Sequence, residues 1–319
     1  MSTSLTLRRS ADAALKCLVD YAGLFPPAAL AMKPALGEYA GARDGTHAWM
    51  LGRFVVPVSR IEEMGDRSDA FPLSVLVSVA LPSASDSGRW LELLSGELAA
   101  VASARRAGSR VEALEIAIPA PRRQRETFDA PLGQLGALLE REGLRDLPAY
   151  AELPHVGLPN ETYWQSSLPG AMAAAKRARL GVKLRCGGLD SSAFPSVDAV
   201  TAFVAAAAAE EVPFKATAGL HHPVRHVDPA TGFTMHGFLN LLAAAVFAAR
   251  PHAPLAEILA EENPAAFRFE EARFAWRDLS AGIDDLAAVR RTSFVGYGSC
   301  SFSEPVEDLT ALGILPSAA

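Results

Sequence analysis

The chain has 319 residues, half of them hydrophobic, and a formal net charge of −6, which suits one large packed domain or two small ones. The charge shows no basic stripe of the kind that a nucleic-acid surface needs, and no uninterrupted apolar run approaches the roughly 20 residues of a membrane span. Residues 1–20 lack the apolar core of a signal peptide, and Cys17, Cys186 and Cys300 form neither a disulfide framework nor a Cys-x-x-Cys pair, so a cytoplasmic location is expected.

Residues 10–20 read as a helix with Ala14, Leu15, Leu18 and Val19 on one side. Residues 20–27 are apolar and end in Pro26-Pro27, which stops regular structure. Their expected role is a packing plug at one end of the fold; the alternative is an ordered arm whose Asp20 or Tyr21 reaches a pocket. From residue 52 a rhythm of short strands and helices sets in. Strands are predicted over 53–58, 72–81, 111–119 and 148–154, then around Lys183 and Lys215, and finally over 293–299. The intervening helices include one opened by Ser87, one over 123–142, one over 195–210 and one over 237–250, with a closing helix that runs to Leu312. One further strand is required, and residues 268–276 are the weakest candidate for it.

Strands alternating with helices at this spacing imply parallel βαβ units. Eight such units over roughly 250 residues give a (β/α)8 TIM barrel. An open doubly wound sheet would carry a glycine-rich loop after its first strand, and Val56-Pro57-Val58-Ser59 is not one. The expected division is an N-terminal helical extension over 1–45, packed on a single barrel domain over 46–319.

Two stretches, Gly181-Val182-Lys183-Leu184-Arg185-Cys186-Gly187-Gly188 and Pro213-Phe214-Lys215-Ala216-Thr217-Ala218-Gly219-Leu220-His221-His222, alternate apolar and polar residues and then break at glycine. The chain has five lysines against twenty-five arginines, so two lysines placed alike on successive strands stand out. If the apolar faces point to the helices, the opposite faces bring Glu115, Glu152, Lys183, Arg185 and Lys215 to the barrel axis. Burying such charges is costly unless they are paired or used, and groups of this kind cluster at active sites. Thr217 shares the face of Lys215. His155, His221 and His222 fall at the C-terminal rim, and Arg185, Gly187, Gly188 and Arg225 suggest a pocket for an anionic group. Cys300 and Glu304 are assigned to packing and to the dipole of the closing helix.

A lysine held between another cation and a dry wall loses proton affinity and becomes a nucleophilic amine. It would form a Schiff base with a ketone or aldehyde, with Glu115, Glu152 or His155 moving protons. The two lysine strands resemble those of deoxyribose-phosphate aldolases and related class I aldolases. The resemblance implies that Lys183 forms the Schiff base and that Lys215 depresses its proton affinity. Two features depart from the family. Arg185-Cys186 stands where small hydroxyl residues usually follow the first lysine, and the predicted strands count as five and six rather than six and seven, which leaves open which lysine is the nucleophile. On this reading the chain is a lyase that needs no cofactor and acts on a small anionic carbonyl compound.

Two alternatives remain. His221, His226 and His236 with Glu152 would supply a divalent metal site for a metal-dependent lyase or isomerase, although no His-x-His or His-Glu-x-x-His spacing is present. A non-catalytic barrel could keep the charged lumen for a small anion. Nothing in the sequence marks a protein partner, a nucleic acid or a membrane, and homo-oligomerisation is left open.

Overall fold

The structure, a computed structural model, describes residues 7–79, 87–121, 127–156, 158 and 160–316. The expected strand end at 80–81, the helix start at 123–126 and the side chain of Ser87 lie outside that set. Among the described residues, eight strands close into a barrel: β1 Val19–Tyr21, β2 Leu51–Pro57, β3 Leu73–Val77, β4 Val111–Ala117, β5 Ala149–Glu152, β6 Gly181–Arg185, β7 Phe214–Thr217 and β8 Phe294–Ser299. Each strand pairs in parallel with its neighbours, and β1 closes the ring by pairing with both β2 and β8.

The period-two pattern produces the layers. Val182, Leu184, Phe214 and Ala216 are fully buried on the face opposite the lysines, against the surrounding helices. The helix after β6, Val197–Glu210, is started by the Ser196 side chain, which accepts a hydrogen bond from the Ala199 amide at 3.1 Å. Its Phe203 stacks on Trp164 of the helix Glu161–Arg177 and meets Phe214 edge-on. With its short lead-in, Ser191–Glu210 has the length and composition of a membrane span. Its Val200, Phe203, Val204 and Ala207, however, are buried in the protein core. At the foot of the lumen Gly181 makes room for an aromatic ring, since a Cβ there would lie 2.5 Å from Tyr150.

Two expectations are corrected. Residues 20–27 are not merely a plug, because Val19–Tyr21 is the first barrel strand; the segment assigned as an extension over 1–45 therefore supplies part of the barrel. The missing strand is not found at 268–276. Phe267–Phe269 and Arg273–Trp276 instead join Leu279–Gly282 in a separate antiparallel sheet. Arg8 and Ser10 donate hydrogen bonds to the carbonyls of Phe269 and Glu270, which tie the N-terminal helix Arg9–Leu15 to that sheet. With β1 counted, the lysine strands are the sixth and seventh.

Candidate active site

Register places the charges. Glu152 lies opposite Lys183, and Lys183 lies opposite Lys215, on three neighbouring strands. Glu115 reaches them from β4 and Asp20 from β1. The result is one unbroken chain of ion pairs across the lumen. Lys215 Nζ donates to Asp20 Oδ2 and Glu115 Oε1. The other oxygen of Glu115 accepts from Lys183 Nζ at 3.0 Å, and Lys183 also meets Glu152 Oε2 at 2.8 Å. Glu152 Oε1 accepts from Arg185 Nε at 2.9 Å and ends the chain. Three carboxylates thus face the three cations of this chain of pairs, and a fourth cation, Arg53, lies 3.9 Å from Asp20 Oδ2 and also pairs with Glu112 at 3.4 Å.

Further contacts fix the deep end. Ser74 Oγ donates to Glu115 Oε1 at 2.7 Å, and the Arg53 amide donates to Asp20 Oδ1 at 2.6 Å. The Lys215 ammonium sits 5.8 Å from the centre of the Tyr150 ring. Asp20, Glu115, Lys183 and Lys215 are at most 2% exposed. Towards the rim the network opens, with the Glu152 side chain 14% and the Arg185 side chain 40% exposed.

These partners reverse one expectation. Burial disfavours the charged form of either lysine, but Glu152 and Glu115 around Lys183, and Asp20 and Glu115 around Lys215, outweigh it, so both ammonium groups hold their protons more tightly than usual. Burial likewise pushes the carboxyls up, and the lysines more than offset it. Glu115 is held well below the usual carboxylate range by Lys215 and Lys183, and Glu152 is brought down to about 2 by Lys183 and Arg185. In the resting structure the amines are cations, not nucleophiles.

The other predicted residues divide. Thr217 ends β7, beside Arg185 in register. His155 is half-buried, edge-on to Trp164, and burial lowers its proton affinity. A Cβ on Gly187 would lie 2.8 Å from Gly219 Cα, so this glycine lets the loops after β6 and β7 touch, whereas one on Gly188 would lie 2.7 Å from Ala193 Cβ, within the loop after β6 itself. Arg225 lines a separate cavity of about 320 Å³ with Ser191, Ser196 and Thr234.

Strand alternation carried on past β7 would point the adjacent His221 and His222 in opposite directions. Instead both turn to the closing helix Ser303–Ala311, where His221 Nδ1 meets Glu304 Oε2 at 3.0 Å and His222 Nδ1 meets Asp308 Oδ2 at 2.6 Å. Alternation has ended before them, since Ala218 and Gly219 both adopt positive φ. The set His221, His226, His236 and Glu152 is not assembled. His226 donates to the Val224 carbonyl at 3.1 Å. His236 donates to Pro195 at 2.8 Å, and burial takes its proton affinity down to about 4. Among the described residues no group of three or more His, Cys, Asp or Glu is placed to hold a metal ion.

Sequence reasoning passed over Asp20 and Ser74 as members of this set. The signal for Asp20 was a single acid between the apolar Val19 and Tyr21. Ser74 shares a face with Ser78, opposite three valines. On the other face of β1, Tyr21 donates to Glu38 Oε2 at 2.6 Å and lines a cavity of about 550 Å³ with His47 and Cys300. Burial raises the Cys300 thiol, and that of Cys186 to about 12, so neither is poised as a thiolate.

No family model matches the sequence, and no curated protein matches it. Solved structures similar to this one include two aldolases. An aldolase described as QR15 is 15% identical, the match covers 64% of this chain and 80% of that one, and the TM-score is 0.44. A fructose-bisphosphate aldolase from Slackia heliotrinireducens is 12% identical, with 66% and 67% covered and a TM-score of 0.39.

Proposed function

We propose that the chain is a lyase of the aldolase type, acting on a small carbonyl compound with an anionic group, and that Lys183 is the amine that forms the imine. The observation that supports this reading is the continuous line of ion pairs from Asp20 to Arg185, with its lysines on the sixth and seventh strands. Those are the strand positions that the resemblance to class I aldolases implies. Lys183 is the better nucleophile of the two by position: its partner Glu152 leads directly to the rim, whereas Lys215 lies between Asp20, Glu115 and the Tyr150 ring.

Because Lys183 rests as an ammonium, a carboxylate must first take a proton from it. The amine then adds to the carbonyl carbon, the carbonyl oxygen leaves as water, and the product is a protonated imine: one ammonium and one carbonyl give one iminium and one water. The iminium draws in the electron pair of the adjacent C–C bond as that bond breaks. Glu115 and Glu152 are the carboxylates in contact with Lys183 and are placed to move these protons. No cofactor enters this scheme.

The burial of both lysines favours a second reading, a non-catalytic barrel that holds a small anion at Arg185. Reduction with borohydride separates the two. In the presence of small aldehydes and oxo acids, the wild-type protein is expected to gain the mass of a reduced adduct, and Lys183→Met to gain none. A wild type that gains no mass with any carbonyl compound rejects the imine reading and leaves the binding one.

A further inference from the structure

We propose that the anionic group of the substrate, by engaging Arg185, turns Glu152 into the base that deprotonates Lys183, so that the reactive amine forms when a short oxo acid is bound. This rests on the imine reading above and adds to it a substrate class and a switch.

The geometry of one carboxylate motivates the proposal. Glu152 ends β5, and its two oxygens are divided between two cations, Oε2 to Lys183 and Oε1 to Arg185. Lys183 and Arg185 are two residues apart on the same face of β6, so their Cα atoms are separated by about 7 Å. Because their end groups reach the two oxygens of one carboxylate, at 2.8 and 2.9 Å, a ligand that meets both carries its carbonyl carbon and its anion close together, as a short oxo acid does. Arg185 binds Glu152 through Nε, and its terminal nitrogens have no acceptor among the described residues. A guanidinium partly exposed at the mouth, with donors unspent, suits a carboxylate.

The consequence for Glu152 follows from its burial. Two cations hold its proton affinity down against the cost of desolvation. Once a substrate carboxylate neutralises Arg185, the desolvation cost remains and one of the two opposing charges is cancelled. The balance then moves towards the protonated carboxyl. The proton crosses the existing 2.8 Å contact from Lys183 Nζ to Glu152 Oε2, which leaves a neutral amine and a neutral acid beside the bound carbonyl. The amine lone pair forms the C–N bond. The proton on Glu152 then goes to the carbonyl oxygen, which departs as water with a second proton from the nitrogen. Glu115 is less suited to this role, because it also serves Lys215 and Ser74 in the closed end of the lumen. A neutral carbonyl compound leaves the Arg185–Glu152 pair intact and the amine protonated.

The test compares pyruvate with methyl pyruvate, which present the same ketone with and without the charge. Each is reduced with borohydride on the wild type, Arg185→Lys, Arg185→Gln and Glu152→Gln, with adduct read by intact mass and folding checked by circular dichroism. The wild type is expected to trap pyruvate at least about tenfold over methyl pyruvate. Arg185→Lys keeps the preference, while Arg185→Gln traps both esters and acids alike, because Glu152 has permanently lost its second cation. Glu152→Gln traps neither. If the wild type traps the ester as well as the acid, the switch is refuted while imine formation stands. If folded Arg185→Gln retains the preference, or traps nothing, the switch is refuted too. A wild type that traps neither probe nor any other carbonyl compound removes the imine reading and the switch with it.

Discussion

The barrel axis and the rim both pair carboxylates with bases, in opposite surroundings. On the axis, Asp20, Glu115, Lys183 and Lys215 share bonds in a closed space where each group has at least two charged or polar partners. At the rim, His221–Glu304 and His222–Asp308 are separate pairs reaching from a loop to a helix, with the His222 ring 44% exposed. The axial groups are interdependent, because removing one strands a buried charge on its neighbours. The rim pairs can be replaced by water. Charge pairing by itself therefore says little about function or stability; burial and sharing decide its weight.

The largest effect that would sharpen this contrast is expected at Glu115, the carboxylate shared by both lysines. Glu115→Gln should lose about 3–5 kcal/mol in urea unfolding, a large part of the roughly 5–15 kcal/mol that holds a domain folded. A loss under about 1 kcal/mol would mean that the lumen is far better hydrated than its burial indicates. Acid should expose the same dependence. A Glu152 side chain near 4.5 when unfolded and near 2 when folded binds its proton first in the unfolded chain. Its contribution is thus complete above pH 4.5 and lost as pH falls from there to 2, up to about 3 kcal/mol. Glu115 extends that loss further down. The lysines, raised when folded, contribute fully below about pH 10.5 and leave stability level around neutrality, while His236, taken from 6.5 down to about 4 by burial, begins a separate loss below about pH 6.5 that wild type and Glu152→Gln share. Urea midpoints measured from pH 7 to pH 2 test this, and a flat acid limb, or one no steeper than that of Glu152→Gln, would contradict it. The smallest effect is expected at the rim, where His222→Ala should cost no more than about 1 kcal/mol, less still at high salt. A salt-independent loss of several kcal/mol there would erase the distinction between the two regions.

How far the sequence reads depends on the element. The strands around Lys183 and Lys215 were legible because apolar and polar residues alternate over four or five positions and glycine then ends the pattern. The same alternation put Glu115, Glu152 and Arg185 on the axial face. β1 was not legible in this way: three residues between a helix and a Pro-Pro turn offer no period to count, and its acid looked like part of an arm. The histidine pair was misread because alternation was carried past the end of β7 into a loop with left-handed residues.

By itself, then, the sequence determined the repeating βα units and which face of each strand carries charge, since side-chain direction along a strand follows from local backbone geometry. The tertiary structure alone decided that Val19–Tyr21 closes the barrel, that Asp20 gives Lys215 its second carboxylate, and that both lysines rest as cations. Proton affinity depends on partners a few ångströms away in space, and here those partners arrive from strands up to 195 residues distant in the chain.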